Sequence, residues 1–391
     1  MNSDINMTEK KMSAREKIKL FHTADFHLDS PFSGLDVKHS DERRVQLRDA
    51  FCAAVRRAKT DGCELILISG DLFDCGYVSE ETVATVFDAL SDCGIPTVIS
   101  PGNHDPFTAG GVYSKKSLPS NVFVFSSTEL SYFDLPDIGV RVYGYAFVSE
   151  KYGEDPLSGG VSLDGRMINI LCAHGDIYSP ISTYASINLA QLEEIGFDYV
   201  ALGHIHKHTE PLKLGKTVVS YAGFPEGRSF DECGFGGALE VTVSPSSPSL
   251  TENVEVKRIT LSDRRYLSEN LDVSGSASRG DVAERIREYV KEGELGEETS
   301  LRLTLIGNVA PSLPNDISMS ADELGLSLID IRNDTLPIFD AQYLESDITL
   351  RGALYRQLLP QMRSSNEQER RIAAEALRVG LAALEGRPII Q

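Results

Sequence analysis

The stretch LFHTADFHL, residues 20–28, places Asp25 and His27 two residues apart, directly after an apolar run that reads as a buried strand. A carboxylate and an imidazole at a strand end are costly to bury unless something pairs with them. Four further segments carry groups of the same kind: Gly70-Asp71, Gly102-Asn103-His104-Asp105, His174-Gly175 and Gly203-His204-Ile205-His206. Each lies behind an apolar run, LILIS, PTVIS, INILCA and YVAL in turn. In open α/β sheets sites form beyond the carboxyl ends of strands, so distant segments can meet on one rim. On an extended chain residues i and i+2 point to the same side, which predicts that Asp25 acts with His27 and His204 with His206. Glycines at 70, 102, 175 and 203 permit sharp turns and close approach.

Taken singly, each segment has an ordinary structural reading: a strand-end polar group, a turn former, a satisfied core histidine. The set of them, each behind a strand, has none. Of the eight histidines, five fall inside these segments, and His22, His39 and His208 are read as structural. The donors mix carboxylate oxygen, amide oxygen and imidazole nitrogen without thiolate, which favours Mn²⁺, Fe²⁺ or Zn²⁺ over Ca²⁺. Asp71 has two oxygens and can bridge two ions. Two ions about 3.5–4 Å apart clamp a phosphoryl group for in-line attack by water, so the expectation is a dinuclear hydrolytic centre.

The surrounding pattern is a β-α-β-α-β run. IKLFHT, ELILIS and IPTVIS read as strands, residues 40–62 as a helix capped by Ser40 or Asp41, and residues 79–94 as a helix capped by Ser79 and closed by Gly94. This predicts an α/β domain with buried parallel strands. Shorter strands follow with few helices between them, so the later sheet is expected to be mixed. Residues 1–16 are polar and read as a tail, and SPSSPSL (Ser244–Leu250) reads as a linker. The expected units are residues 17–245, a small α+β module over 250–340, and a helical segment over 341–391.

The chain has 391 residues, 41% hydrophobic and 25% charged, an ordinary globular composition. Lys and Arg number 38 against 58 Asp and Glu, a formal charge of −20. That argues against coating nucleic acid by bulk attraction, but not against a nuclease, because bound divalent cations and a local basic groove can reverse the field. No apolar run reaches the roughly 18 residues a membrane span needs, and no secretory pattern opens the chain, so a cytoplasmic, membrane-free protein is expected. The six cysteines form no C-x-x-C pair and read as free thiols.

The ordered set D-x-H, G-D, G-N-H-D, H and G-H-x-H resembles the motif set of the calcineurin-like metallophosphoesterase superfamily. Within it the chain looks most like the SbcD-type DNA-repair exonucleases, in a YhaO-like branch, through HTADFHLDSPFSGL, ISGDLFD, GNHDP and YAGFPEGRSFDECGFGGALEV. The resemblance implies a four-layer α/β fold, a mixed β-sandwich flanked by helices, for residues 17–245, a capping domain over 250–340 and partner-binding helices over 341–391. It implies two divalent ions, typically Mn²⁺. Asp25, His27, Asp71 and His206 would hold one, and Asp71, Asn103, His174 and His204 the other. His104 would face the scissile phosphate and Asp105 would orient His104. The implied activity is a 3′-to-5′ DNA exonuclease and single-strand endonuclease, a homodimer working with an SMC-like coiled-coil ATPase.

Lys115, Lys116, Arg228, Arg264 and Arg265 are candidate cations for the substrate, and Phe107, Tyr113 and Phe230 candidate stacking groups. In the terminal helix, Ser365 with Gln368 reads as a capping box. Ile372, Ala373, Ala376, Leu377, Gly380, Leu381 and Leu384 form one stripe, which either docks on the ATPase or covers the protein's own module. Two other readings stay open: a phosphomonoesterase or cyclic-nucleotide phosphodiesterase on the same scaffold, and a scaffold subunit for the ATPase. The module beyond Leu250 argues against the first and the intact donor set against the second.

Overall fold

The computed structural model describes residues 17–33, 36–74, 78–115, 117–244, 253–310, 313, 316–337, 341–384 and 386. The chain divides into two compact units, Met1–Asp263 and Arg264–Gln391. The first contains β1 (Ile18–Thr23), α1 (Val37–Thr60), β2 (Leu65–Ile68), α2 (Glu80–Cys93), β3 (Thr97–Ile99), α3 (Val112–Lys115) and β4 (Val122–Val124). It continues with β5 (Ser131–Leu135), β6 (Val140–Gly144), β7 (Ile168–His174), α4 (Leu189–Ile195), β8 (Tyr199–Gly203), β9 (Leu212–Leu214), β10 (Thr217–Tyr221) and β11 (Gly234–Val243). Strand β12 (Val254–Asp272) crosses the division.

Strands β1 to β4 run parallel, with β11 antiparallel to β1. In a second sheet β6, β7, β8 and β10 run parallel, with β5 and β9 antiparallel at its edges. Side-chain alternation turns these sheets into layers. Ile18, Leu20, Leu65 and Leu67 of the first sheet pack with Val140, Val142, Ile168, Ile170, Tyr199 and Ala201 of the second. The alternate residues Phe21, Ile66 and Ile68 face Leu47, Phe51 and Val55 of α1 and Val83, Val86 and Leu90 of α2. Leu171, Ala173, Val200 and Leu202 face Leu192 of α4. Helix, sheet, sheet, helix is the four-layer α/β arrangement expected, with a mixed second sheet.

The helices follow their caps. Ser79 accepts from Thr82 N and Gly94 closes α2 with φ 73°. Helix α1 starts earlier than expected, because Asp36 rather than Ser40 or Asp41 accepts the free amide of His39. Leu47, Phe51, Ala54, Val55 and Ala58 of α1 are buried, whereas Val45 faces solvent at 45% exposure. Cys52, Cys63, Cys93, Cys172 and Cys233 are thiols outside any disulfide, and Cys75 lies outside the described residues.

The second unit takes up β12 and adds α5 (Arg279–Glu292), β13 (Thr299–Ile306), β14 (Asn308–Val309), α6 (Ala321–Leu324), β15 (Leu328–Asn333) and β16 (Leu336–Pro337). It ends in α7 (Ala341–Ser346), α8 (Leu350–Met362) and α9 (Glu367–Leu384). β12, β13 and β15 are parallel, and Val282, Ile286 and Val290 of α5 pack on Leu301, Leu303 and Leu305 of β13. A capping box joins Ser278 and Asp281 at the start of α5. Helices α8 and α9 form a hairpin around Tyr355, Leu377 and Leu381. Asn366, not Ser365, caps α9 by accepting from Gln368 N at 2.9 Å.

The linker expected at Ser244–Leu250 lies outside the described residues from position 245, and the division into units falls later, inside β12. The tail, residues 1–16, also lies outside them. Among the described residues no helix is long and apolar enough to cross a membrane.

Candidate metal centre

Every donor segment sits where a strand of the first unit ends. β1 stops at Thr23, and Asp25 and His27 follow it in the left-handed region, with φ 55° and 46°. Their common direction therefore comes from two left-handed residues around Phe26, not from the extended alternation expected. Phe26 is buried against Phe51, ring centroids 5.1 Å apart, which fixes the turn. The segment runs beside the end of β2 through Asp25 N to Gly70 O (3.0 Å) and His27 N to Asp71 O (2.9 Å). Asp71 (φ 49°) and His204 (φ 103°) share the same kind of backbone. Such residues cost about 1–3 kcal/mol each and persist only where the surroundings hold them, typically at functional sites. Two glycines make the crowding possible. A Cβ on Gly70 would strike the His174 ring, and one on Gly102 the Asp71 carboxylate.

The donors converge. Atoms of Asp25, His27, Asp71 and His206 all lie within 4.8 Å of one another. His27 Nε2 stands 3.2 Å from His206 Nε2 and 3.6 Å from Asp71 Oδ2. On the other side of Asp71, His174 Nε2 is 3.3 Å from Asp71 Oδ2 and 3.0 Å from Asn103 Oδ1. The His204 ring meets the His174 ring edge-on at 5.3 Å, and the His204 amide donates to Asp25.

The remaining ring nitrogens decide what this geometry needs. His174 Nδ1 donates to the Ser69 carbonyl (2.9 Å) and His206 Nδ1 to Glu232 Oε1 (2.8 Å). Each ring then turns its Nε2 toward other acceptors, and lone pairs in that arrangement repel unless a proton or a metal cation lies among them. Burial pushes Asp25 up, while His174 and His27 overcome burial and hold Asp71 well below the usual carboxylate range. Burial opposes charge on His174, yet Asp71 and Asp25 carry it up to about 9. Burial and the neighbouring His174 bring His204 down to about 4. The donor set fits divalent cations, which satisfy the same lone pairs without protons.

His104 lies beside this centre, and Asp74 holds it: Nδ1 is 2.9 Å from Asp74 Oδ1. That corrects the role expected for Asp105. The Asp105 carboxylate faces the other way and accepts from the amides of Asp71, Leu72, Phe73 and Gly102 and from the Tyr113 hydroxyl. Burial and Asp71 push Asp105 up to about 7 against the pull of those donors. Asp105 thus braces the loops that carry Asp71 and Asn103. Tyr113, read as a stacking group, is 4% exposed and serves this brace, and Phe107 packs against the core.

Among the candidate cations, Arg228 is engaged with Glu232 and Ser30 rather than held open for substrate. His206 and Arg228 overcome burial to hold Glu232 down at about 2. Lys115 is exposed and lines a cavity of about 320 Å³ with His104, Phe73, Val78 and Val112. Lys116 lies outside the described residues. Arg264 and Arg265 belong to the second unit, where Arg265 bonds Thr299 and Glu298. Reasoning from the sequence missed Asp74 and Glu232, the carboxylates that orient His104 and His206.

Residues 18–208, which contain every donor named for the two ions, match the calcineurin-like phosphoesterase family model. This stretch is a calcineurin-like phosphoesterase domain. The chain is 30% identical over 240 residues to the uncharacterized metallophosphoesterase YhaO of Bacillus subtilis strain 168, covering 58% of each chain. It therefore spans less than two thirds of that relative's length. It is 27% identical over 346 residues to the DNA double-strand break repair protein Mre11 of Haloferax volcanii, covering 85% of this chain and 70% of that one. A crystal structure of a dimetal phosphatase from Danio rerio is similar at 12% identity and TM-score 0.37, covering 63% of this chain and 100% of its own.

Proposed function

We propose that this chain is a two-metal phosphodiesterase acting on DNA, with 3′-to-5′ exonuclease and single-strand endonuclease activity. Asp25, His27, Asp71 and His206 hold one ion, and Asp71, Asn103, His174 and His204 the other, with Mn²⁺ the preferred metal. The observation that carries the reading is the meeting of carboxylate and imidazole groups around Asp71, with His104 beside them. When bound, the ions supply positive charge to the phosphoryl group and activate the attacking water. His104, fixed through Nδ1 by Asp74, is left with Nε2 to meet a phosphate oxygen or the leaving oxygen.

DNA as the substrate is supported by the similarity to Mre11. A match covering 85% of the chain has to extend beyond Asp263, into the unit that follows the phosphoesterase domain. The same similarity motivates a homodimer and an SMC-like ATPase partner that binds through α8 and α9. Purified chain with Mn²⁺ is expected to degrade end-labelled duplex and single-stranded DNA, to hydrolyse bis-p-nitrophenyl phosphate, and to stop on addition of a chelator. Turnover of p-nitrophenyl phosphate without cleavage of DNA would replace this reading by a phosphomonoesterase. DNA repair that survives His104→Ala in cells would replace it by a scaffold role.

A further inference from the structure

Resting on the phosphodiesterase reading, we propose that Arg228 and Glu232 are a positioning pair that ties the metal ligand His206 to the His104–Asp74 couple through Ser30. Both residues lie outside the stretch matched by the family model, in the turn between β10 and β11. Glu232 is 3% exposed, and its Oε1 takes the Nδ1 proton of His206 at 2.8 Å. Arg228 donates to the same carboxylate from its backbone amide (2.7 Å) and from Nε (3.1 Å). Its Nη1 reaches Ser30 Oγ at 3.1 Å, and Ser30 Oγ donates to Asp74 Oδ2 at 2.6 Å. The other oxygen of Asp74 holds His104.

One continuous line of bonds therefore runs from a ligand that follows β8, in the second sheet, to a histidine that follows β3, in the first. The turn is pinned from outside as well: Arg43 of α1, itself buried, donates to the Gly227 carbonyl at 2.7 Å and lies 3.6 Å from Glu226. A guanidinium that grips a buried carboxylate through both Nε and Nη2 fixes angle as well as distance, which a lysine would not. The pair sets the spacing between the metal-side imidazoles and His104. It also keeps Nε2 of His206 directed at the cation. The partners of a ligating histidine typically change metal affinity or activity by about 10–100-fold when removed.

The test uses the full chain, stripped of metal and titrated with Mn²⁺ by calorimetry, together with bis-p-nitrophenyl phosphate kinetics. Glu232→Ala is expected to weaken Mn²⁺ affinity by about 10–100-fold, and Glu232→Gln, which keeps an oxygen for His206, to recover part of it. Ser30→Ala leaves every donor to the ions in place. It is expected to bind Mn²⁺ as the wild type does while kcat falls about 10-fold at unchanged KM. Wild-type Mn²⁺ affinity in Glu232→Ala, or wild-type kcat in Ser30→Ala, would overturn the pair's role and leave the phosphodiesterase reading intact. A wild-type chain that takes up no Mn²⁺ and leaves the diester untouched would overturn that reading and this one together.

Discussion

Asp71 concentrates the chemistry of the site in one carboxylate. One oxygen accepts the His104 amide at 2.8 Å, and the other stands between His27 and His174. Gly102 gives it room, so Gly102→Ala is expected to lower Mn²⁺ affinity by about 10-fold or more, read by calorimetry. His104→Ala removes no donor to the ions. It is expected to cut diester hydrolysis by about 10²–10⁴-fold while the Mn²⁺ isotherm stays as in the wild type. The donors were legible in the sequence because histidines and carboxylates behind apolar runs need a reason to be there. Their partners were not. Adjacency put Asp105 with His104, but the turn points Asp105 at the amides of Asp71 to Phe73, and Asp74 arrives from another loop. Glu232, 26 positions beyond His206, leaves no pattern that periodicity could detect.

At the scale of elements, α9 separates two uses of one apolar stripe. Ala373, Leu377 and Leu381 are buried in the second unit, and Gly380 lies so close to α8 that a Cβ would strike Leu354. Ile372 and Leu384 remain exposed, at 62% and 44%. Leu381→Ala is therefore expected to destabilise the hairpin by about 2–5 kcal/mol. Ile372→Ser should stay within about 0.5 kcal/mol, both read by urea unfolding followed by circular dichroism. Loss of ATPase binding in Ile372→Ser, with stability kept, would favour the docking reading of the exposed edge. The sequence marked the long elements through their caps and their alternation. It gave no sign of β5 and β9, because short edge strands with few buried residues carry little period.

For the whole molecule, the layered plan could be read ahead of the structure because each central strand alternates between two apolar faces. The division at Asp263 could not, since β12 runs through it with an unbroken strand pattern. Charge adds a prediction at this scale. A chain of net charge −20 that also buries Asp25 and Asp71 gains from bound cations beyond their chemistry. Mn²⁺ at a hundred times its dissociation constant is expected to add about 2.7 kcal/mol per site to the stability of the folded chain. Thermal melts with Mn²⁺ and with a chelator measure it, and identical melting temperatures would contradict it.

The donors come from both halves of the sandwich: Asp25, Asp71 and Asn103 follow strands of one sheet, and His174, His204 and His206 end or follow strands of the other. An ion shared among them would act as a rivet, since neither half owns a complete nest for it. Cleaved between β4 and β5, the chain would become two fragments already joined by the β1–β11 ladder and the core between the sheets, and a bound metal would tighten that join. Such fragments are expected to stay together to a higher urea concentration in Mn²⁺ than in chelator, which would turn a hydrolytic centre into a clasp.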